Sequence, residues 1–128
     1  MGKKIQLLSL HEVSSVRQAC STLTSSNRVN RKWSLYLQIR WETGLNHRNL
    51  SRLRTKDISL GKLRVGKREV TVEGNLSMAL MKYAIDYNIK GKLFPETIQG
   101  ATYIWNKIKR KAELDPHLTL NSISRKVE

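Results

Sequence analysis

Thr43-Gly44-Leu45-Asn46-His47-Arg48-Asn49-Leu50-Ser51-Arg52-Leu53-Arg54-Thr55-Lys56-Asp57-Ile58 is the stretch from which the rest of the chain can be read. Gly44 follows a run rich in apolar residues and ends it as a helix-terminating glycine would. Asn46 is a good N-cap, so a new helix is expected over residues 46–54, with Leu50 and Leu53 facing inward. Asp57-Ile58-Ser59 then leads toward extended structure. Upstream, residues 32–43 carry Trp33, Leu35, Tyr36, Leu37, Ile39 and Arg40. A helix apolar on most sides belongs in the middle of a core. Residues 24–30 read as a polar loop. Residues 5–24 read as a helix entry and an amphipathic helix. In it Ser9 and Glu12 stand at capping-box spacing, and Val13, Val16, Ala19, Cys20 and Leu23 follow the helical period.

Downstream, Lys62–Val65 and Glu69–Val72 read as short strands, with Gly66-Lys67-Arg68 as the hairpin turn between them. A helix is expected over residues 74–89, ended by Gly91. Leu93-Phe94-Pro95 is a short extended piece. The last long helix is expected over residues 96–113, with Ile98, Ala101, Ile104, Trp105, Ile108 and Ala112 inward. Residues 115–128 read as a polar, loosely held end. Trp33, Trp41 and Trp105 all fall in helices and read as core anchors. The expected fold is mixed, mainly α with a small antiparallel β-sheet, in one domain over residues 1–128.

Charge is the unusual quantity. The 128 residues include 24 Lys plus Arg against 10 Asp plus Glu, a formal net charge of +14. A surface this positive attracts polyanions, nucleic acid first among them. No run approaches the ~18 apolar residues that a membrane span requires, and no leader opens the chain. The single cysteine, Cys20, excludes an internal disulfide and fits a reducing, cytoplasmic setting. With one Cys and the isolated His11, His47 and His117, no metal site is expected. The histidines read as surface or capping residues. No cofactor is implied.

The order of these blocks resembles the catalytic domain of the tyrosine recombinases and phage integrases. Residues 43–58 match the family's TGLRxxELxxLxxxDI segment, and Gly66-Lys67 stands where the family has its hairpin lysine. Leu93-Phe94-Pro95 stands at the "lF" segment, and Leu118–Arg125 at the HxxR box. The resemblance spans roughly residues 9–125. It implies a recombinase-like fold, and its departures imply the loss of catalysis. The family's first catalytic arginine falls on Asn46, and its glutamate on Asn49. The box histidine falls on Asn121 and the box arginine on Ser124, with Arg125 one position late. The tyrosine nucleophile would lie beyond Glu128. Of the family's catalytic positions only Lys67 is kept.

The chemistry gives those departures their weight. Strand cleavage needs a nucleophile and fixed, permanently charged arginine forks on the phosphate. Asn and Ser supply neither. Arg48, two positions past Asn46, would point elsewhere on a regular helix. No catalytic residue is therefore assigned, and the chain is expected not to be an enzyme.

What such a scaffold would keep is its grip on double-stranded DNA. Lys67, Arg68, Lys107, Lys109, Arg110 and Lys111 are placed by the resemblance near the duplex, with Arg48, Arg52, Arg54 and Lys56 as a second basic strip. All suit phosphate contact. Thr97, Gln99, Thr102, Tyr103 and Asn106, early in the last helix, are candidate base readers. The expected role is regulatory or accessory, in the transcription, conjugation or recombination of a plasmid or other mobile element. A homo-oligomer or a recombinase partner stays open. No membrane partner and no small-molecule substrate are expected. Two rivals remain: a module that docks on a recombinase and modulates it, and an RNA-binding protein using the same basic face. A plainer reading stands beside each residue, since Lys107–Lys111 also suit a solvated helix end.

Overall fold

The computed structural model describes residues 9–123. The expected helix entry over residues 5–8, and the expected box residues Ser124 and Arg125, lie outside them. The described residues form five helices and three short strands: α1 (Leu10–Ser21), α2 (Asn27–Thr43), α3 (His47–Leu50), β1 (Ile58–Ser59), β2 (Lys62–Val65), β3 (Arg68–Thr71), α4 (Gly74–Asp86) and α5 (Ile98–Lys111). Single 3-10 turns stand at Thr55–Asp57 and Leu120–Ser122. The expected class, mainly α with a small antiparallel sheet, is borne out.

The capping box forms as read. Ser9 Oγ accepts from Glu12 N at 3.2 Å, and Glu12 Oε1 accepts from Ser9 N at 2.8 Å. The polar stretch 24–30 is not a loop throughout, because α2 begins at Asn27 with Ser26 as its cap. Asn30 faces inward and holds the α1–α2 turn: its amide donates to the Ser21 and Thr24 carbonyls, and its oxygen accepts from Thr24 N and Oγ1. A polar residue read as loop is here a satisfied interior residue.

Helix α2 is central, as expected. It buries Trp33, Leu35, Tyr36, Leu37 and Ile39 and packs against α1 on one side and α4 on another. The aromatic centre is Tyr36, edge-on to Trp33 at 5.1 Å and to Phe94 at 5.3 Å. Gly44 caps α2 with φ +72°, a conformation that glycine adopts at no steric cost.

The helix expected over 46–54 is a single turn, α3, capped by Asn46. The chain then straightens, because Leu53 O and Thr55 N bond across to the next extended segment: Leu93 N donates to Leu53 O at 3.2 Å and Thr55 N to Gly91 O at 2.9 Å. Leu50 and Leu53 are buried all the same. The sheet has order β1-β2-β3, all antiparallel, with Val65 facing Arg68. Arg68 is therefore the first residue of β3, and the turn is Gly66-Lys67 alone. Gly66 has φ +61° and Lys67 is not in the positive-φ region, the sign pattern of a type II′ hairpin turn. Ile58–Ser59 adds a strand that was read only as a lead-in.

Helix α4 stops at Asp86, earlier than expected. Asn88, with φ +51°, ends it rather than Gly91, and Ile89 N donates back to Ala84 O at 2.8 Å in the manner of a Schellman closure. Helix α5 starts at Ile98, which is exposed rather than inward, since the first turn overhangs the core. Ala101, Trp105 and Ile108 are its buried positions. The segment after α5 is not loose up to Ile123: Leu118, Leu120, Ser122 and Ile123 are all buried.

Cys20 is buried at the α1 core face, and desolvation pushes its thiol from the ordinary 9.0 up to about 12. Its folded value lies above the unfolded one, so its contribution to stability is full below pH 9.0 and is lost as pH rises toward 12. An alkylating reagent at about pH 8 is expected to label Cys20 only after denaturation. Labelling of the native protein at the rate of a free thiol would contradict this burial.

Candidate nucleic-acid interface

A cleft of about 780 Å³ opens where α2, α3, α5 and the segment after α5 meet. Arg40 comes from the last turns of α2, with Asn46 and Arg48 from the cap and turn of α3. Lys92 and Glu96 come from the segment before α5, Thr102, Asn106 and Lys109 from α5, and Asn121 from the final 3-10 turn. Asn46 and Asn121, the positions where the resemblance puts catalytic residues, thus face the same cleft. Arg48 faces it too. The expectation that it would point away assumed a regular helix, and α3 is only one turn long.

The floor is a chain of hydrogen bonds. His47 Nε2 lies 2.7 Å from Glu96 O, and Nδ1 lies 2.9 Å from Tyr36 Oη. A carbonyl only accepts, so Nε2 carries the proton and, in the neutral ring, Nδ1 accepts from the Tyr36 hydroxyl. Tyr36 in turn accepts from Arg40 Nη1 at 3.5 Å, and Arg40 Nη2 donates to Asn121 Oδ1 at 3.3 Å. Burial raises the Tyr36 phenol above its ordinary value, with Arg40 pulling the other way. His47, expected as a surface or capping residue, is a buried strut with both nitrogens engaged. Asn46 spends its side-chain oxygen on the cap, accepting from Asn49 N at 3.0 Å.

The other expected contact residues divide by what their heads already do. Lys109 is 7% exposed and donates to Pro116 O and Leu118 O, both at 2.7 Å. It ties down the segment after α5, so its reading as a duplex contact is corrected to a structural one. Burial also lowers its pKa, with Asp115 opposing. Lys111 is exposed but its ammonium donates to Thr22 O at 2.6 Å, linking the ends of α5 and α1. Thr97 caps α5, accepting from Gly100 N, which removes it from the base readers. Thr102 and Asn106 are exposed on the cleft wall. Tyr103 is exposed beside them, with the Lys107 ammonium 6.0 Å from its ring. Arg52, Arg110 and Gln99 are exposed. Lys67 and Arg68 stand exposed at the hairpin, away from the cleft lining.

Four ion pairs join described residues: Arg31–Asp86, Lys32–Glu96, Lys62–Glu69 and Lys82–Asp86. None includes Arg48, Arg52, Lys67, Arg68, Lys107 or Arg110. The residues missed from the sequence are Arg40 and Lys92. Arg40 had a signal: a charged residue within a helix apolar on most sides must face a polar interior or a cleft.

The fold is that of a recombinase domain, as the arrangement of helices about a small antiparallel sheet was expected to be. Among solved structures the chain is similar to the crystal structure of XerA recombinase, with a TM-score of 0.76 and 16% sequence identity. The match covers 96% of this chain and 48% of that one, so the chain spans about half its length. No protein-family model matches, and no curated protein matches. No helix among the described residues is long and apolar enough to cross a membrane, and no cluster of potential metal ligands occurs among them.

Proposed function

We propose that this chain is a non-catalytic, cytoplasmic duplex-DNA-binding protein on a recombinase scaffold, acting as a regulatory or accessory factor of a mobile element. The observation that carries the reading is the set of cations without carboxylate partners. Arg48, Lys107 and Arg110, with Arg52 and the hairpin pair Lys67 and Arg68, are exposed or half-exposed on a recombinase-like fold and form no ion pair among the described residues. Like charges left unpaired on so small a surface repel one another, and a polyanion relieves that repulsion. The absence of catalysis is argued from chemistry. Asn46 is occupied as a helix cap, and Asn121 accepts from Arg40. Neither can supply a charged fork to a phosphate in its transition state.

A titration by fluorescence anisotropy with random duplex, single-stranded DNA and RNA at two salt concentrations separates the readings. Duplex is expected to bind tightest, and to weaken as salt rises. Equal binding of A-form RNA would move the assignment to the RNA reading. Weak binding of every nucleic acid would favour the module that docks on a recombinase. That second reading has its own support in Leu60, Met78 and Ile85, which are 68%, 58% and 77% exposed on and beside α4.

A further inference from the structure

Arg40 is the most unusual charge in the molecule. Its side chain is 3% exposed, yet no ion pair among the described residues includes it. Its partners are all neutral, Tyr36 Oη at 3.5 Å, Asn121 Oδ1 at 3.3 Å and the Tyr36 ring, whose centroid is 5.9 Å from Cζ, and its Nε–H has no acceptor among the described residues. A buried guanidinium without a counter-ion is strongly unfavourable, and the penalty falls when an anion reaches it. Arg40 lines the cleft together with three further cations, Arg48, Lys92 and Lys109. Among the described residues the one carboxylate on that wall is Glu96, which Lys32 neutralises through Oε2 while Oε1 has no donor. Neutral donors stand alongside: Asn46, Thr102 and Asn106.

We propose that the cleft is a binding site for a phosphate monoester, with the buried Arg40 guanidinium as its anchoring counter-charge. A monoester is nearly a dianion at neutral pH, which suits a wall where positive charge outweighs the one compensated carboxylate. A guanidinium fork donates to two phosphate oxygens at once. Burial of Arg40 favours a group that enters the cleft over one that passes across its mouth. A small phosphate ester or a 5′-phosphate at a DNA end enters, whereas an internal phosphodiester of a duplex is met by exposed cations such as Lys107 and Arg110. The anchor, Arg40, is therefore distinct from the exposed cations of the duplex face, although Arg48 borders both.

The test is thermal unfolding of the full chain with inorganic phosphate, with a deoxynucleoside 5′-monophosphate, and with chloride at matched ionic strength. Phosphate and the monophosphate are expected to raise Tm, by about 10 °C at a hundredfold excess over Kd, and chloride is not. Asn121→Asp supplies an internal carboxylate within 3.3 Å of Arg40 Nη2. It should raise Tm in phosphate-free buffer and abolish the response. Arg40→Gln removes the charge and should abolish the response too, which keeps the test decisive if the aspartate variant misfolds. No rise above chloride, or a rise that persists in both variants, overturns the proposal. Duplexes with 5′-phosphate and 5′-hydroxyl ends then identify the source. A preference for the phosphorylated end that Arg40→Gln removes assigns the site to DNA ends, and a response to the mononucleotide alone assigns it to a small ester. An unsubstituted chain that binds duplex but shows no response to phosphate or the monophosphate would sink this proposal and leave the duplex reading standing.

Discussion

Replacing Trp105 with alanine is expected to lower the stability of the chain by about 3–5 kcal/mol, the largest single-residue effect on folding that this structure implies. Trp105 is almost wholly buried on the inner face of α5, between Ala101 and Ile108. Its indole N–H donates to Leu118 O at 3.0 Å, so one side chain both fills the core and fastens the segment after α5. Alanine would leave a cavity too large for the neighbours to collapse into, and a carbonyl shared only with Lys109. Since domains of this size are stable by only about 5–15 kcal/mol, the variant should lose a third or more of the stability typical of such a domain. Trp105→Phe separates the two contributions: it keeps most of the apolar volume and loses the hydrogen bond, and should lose about 1 kcal/mol. Trp41→Ala should lose less than Trp105→Ala because Trp41 is only half-buried. Urea midpoints of the three variants check the order. A Trp105→Ala protein as stable as Trp41→Ala would contradict the packing described here.

How far the sequence foretold this structure depends on what kind of signal each element carries. Helices α1, α2, α4 and α5 were legible because their apolar residues recur at the helical period, and because Ser9, Gly44 and Asn46 are local signals that need no tertiary context. Boundaries failed where a tertiary partner decides them. The start of α2 depends on Asn30 finding partners across the α1–α2 turn, and α3 is cut short by backbone bonds to residues about forty positions away. Residues 115–123 looked loose because polar composition was read without knowing that Trp105 and Lys109 reach out to their carbonyls. The cleft was half legible. Arg48, Thr102 and Asn106 were named from the resemblance and from helix position, and they do line it. Arg40 was not, because an arginine among the apolar residues of α2 gives no hint of which interior surface it faces. Lys109 was misread for the opposite reason: charge at a helix end looks solvated until the chain folds back over it.

Changing Lys107 and Arg110 together to glutamine is expected to weaken duplex binding and, more tellingly, to flatten its salt dependence. Each lysine or arginine that neutralises a phosphate releases about 0.9 counter-ions, so the slope of log K against log salt should fall in magnitude by about 2 for the pair. Between 50 and 200 mM salt the wild-type chain, if the exposed cations left without ion pairs touch phosphates, should lose on the order of 10³ in affinity, and the variant about tenfold less of it. The two positions suit this measurement because neither has a role in folding that the substitution would disturb. Arg110 is exposed, and Lys107 makes no polar contact beyond its place over the exposed Tyr103 ring. Lys109 and Lys111, which lie in the same basic run, would confuse it: their ammonium groups bond to Pro116, Leu118 and Thr22 carbonyls, and replacing them would loosen the structure as well as the surface field. The hairpin provides an independent arm. Lys67→Gln with Arg68→Gln should flatten the slope by a similar amount if the turn reaches the same duplex, since Gly66 keeps the turn geometry whatever side chain follows. A slope that responds to α5 but not to the hairpin would confine the contact surface to α5 and the cleft. A slope indifferent to both pairs would mean that the positive charge serves some partner other than duplex DNA.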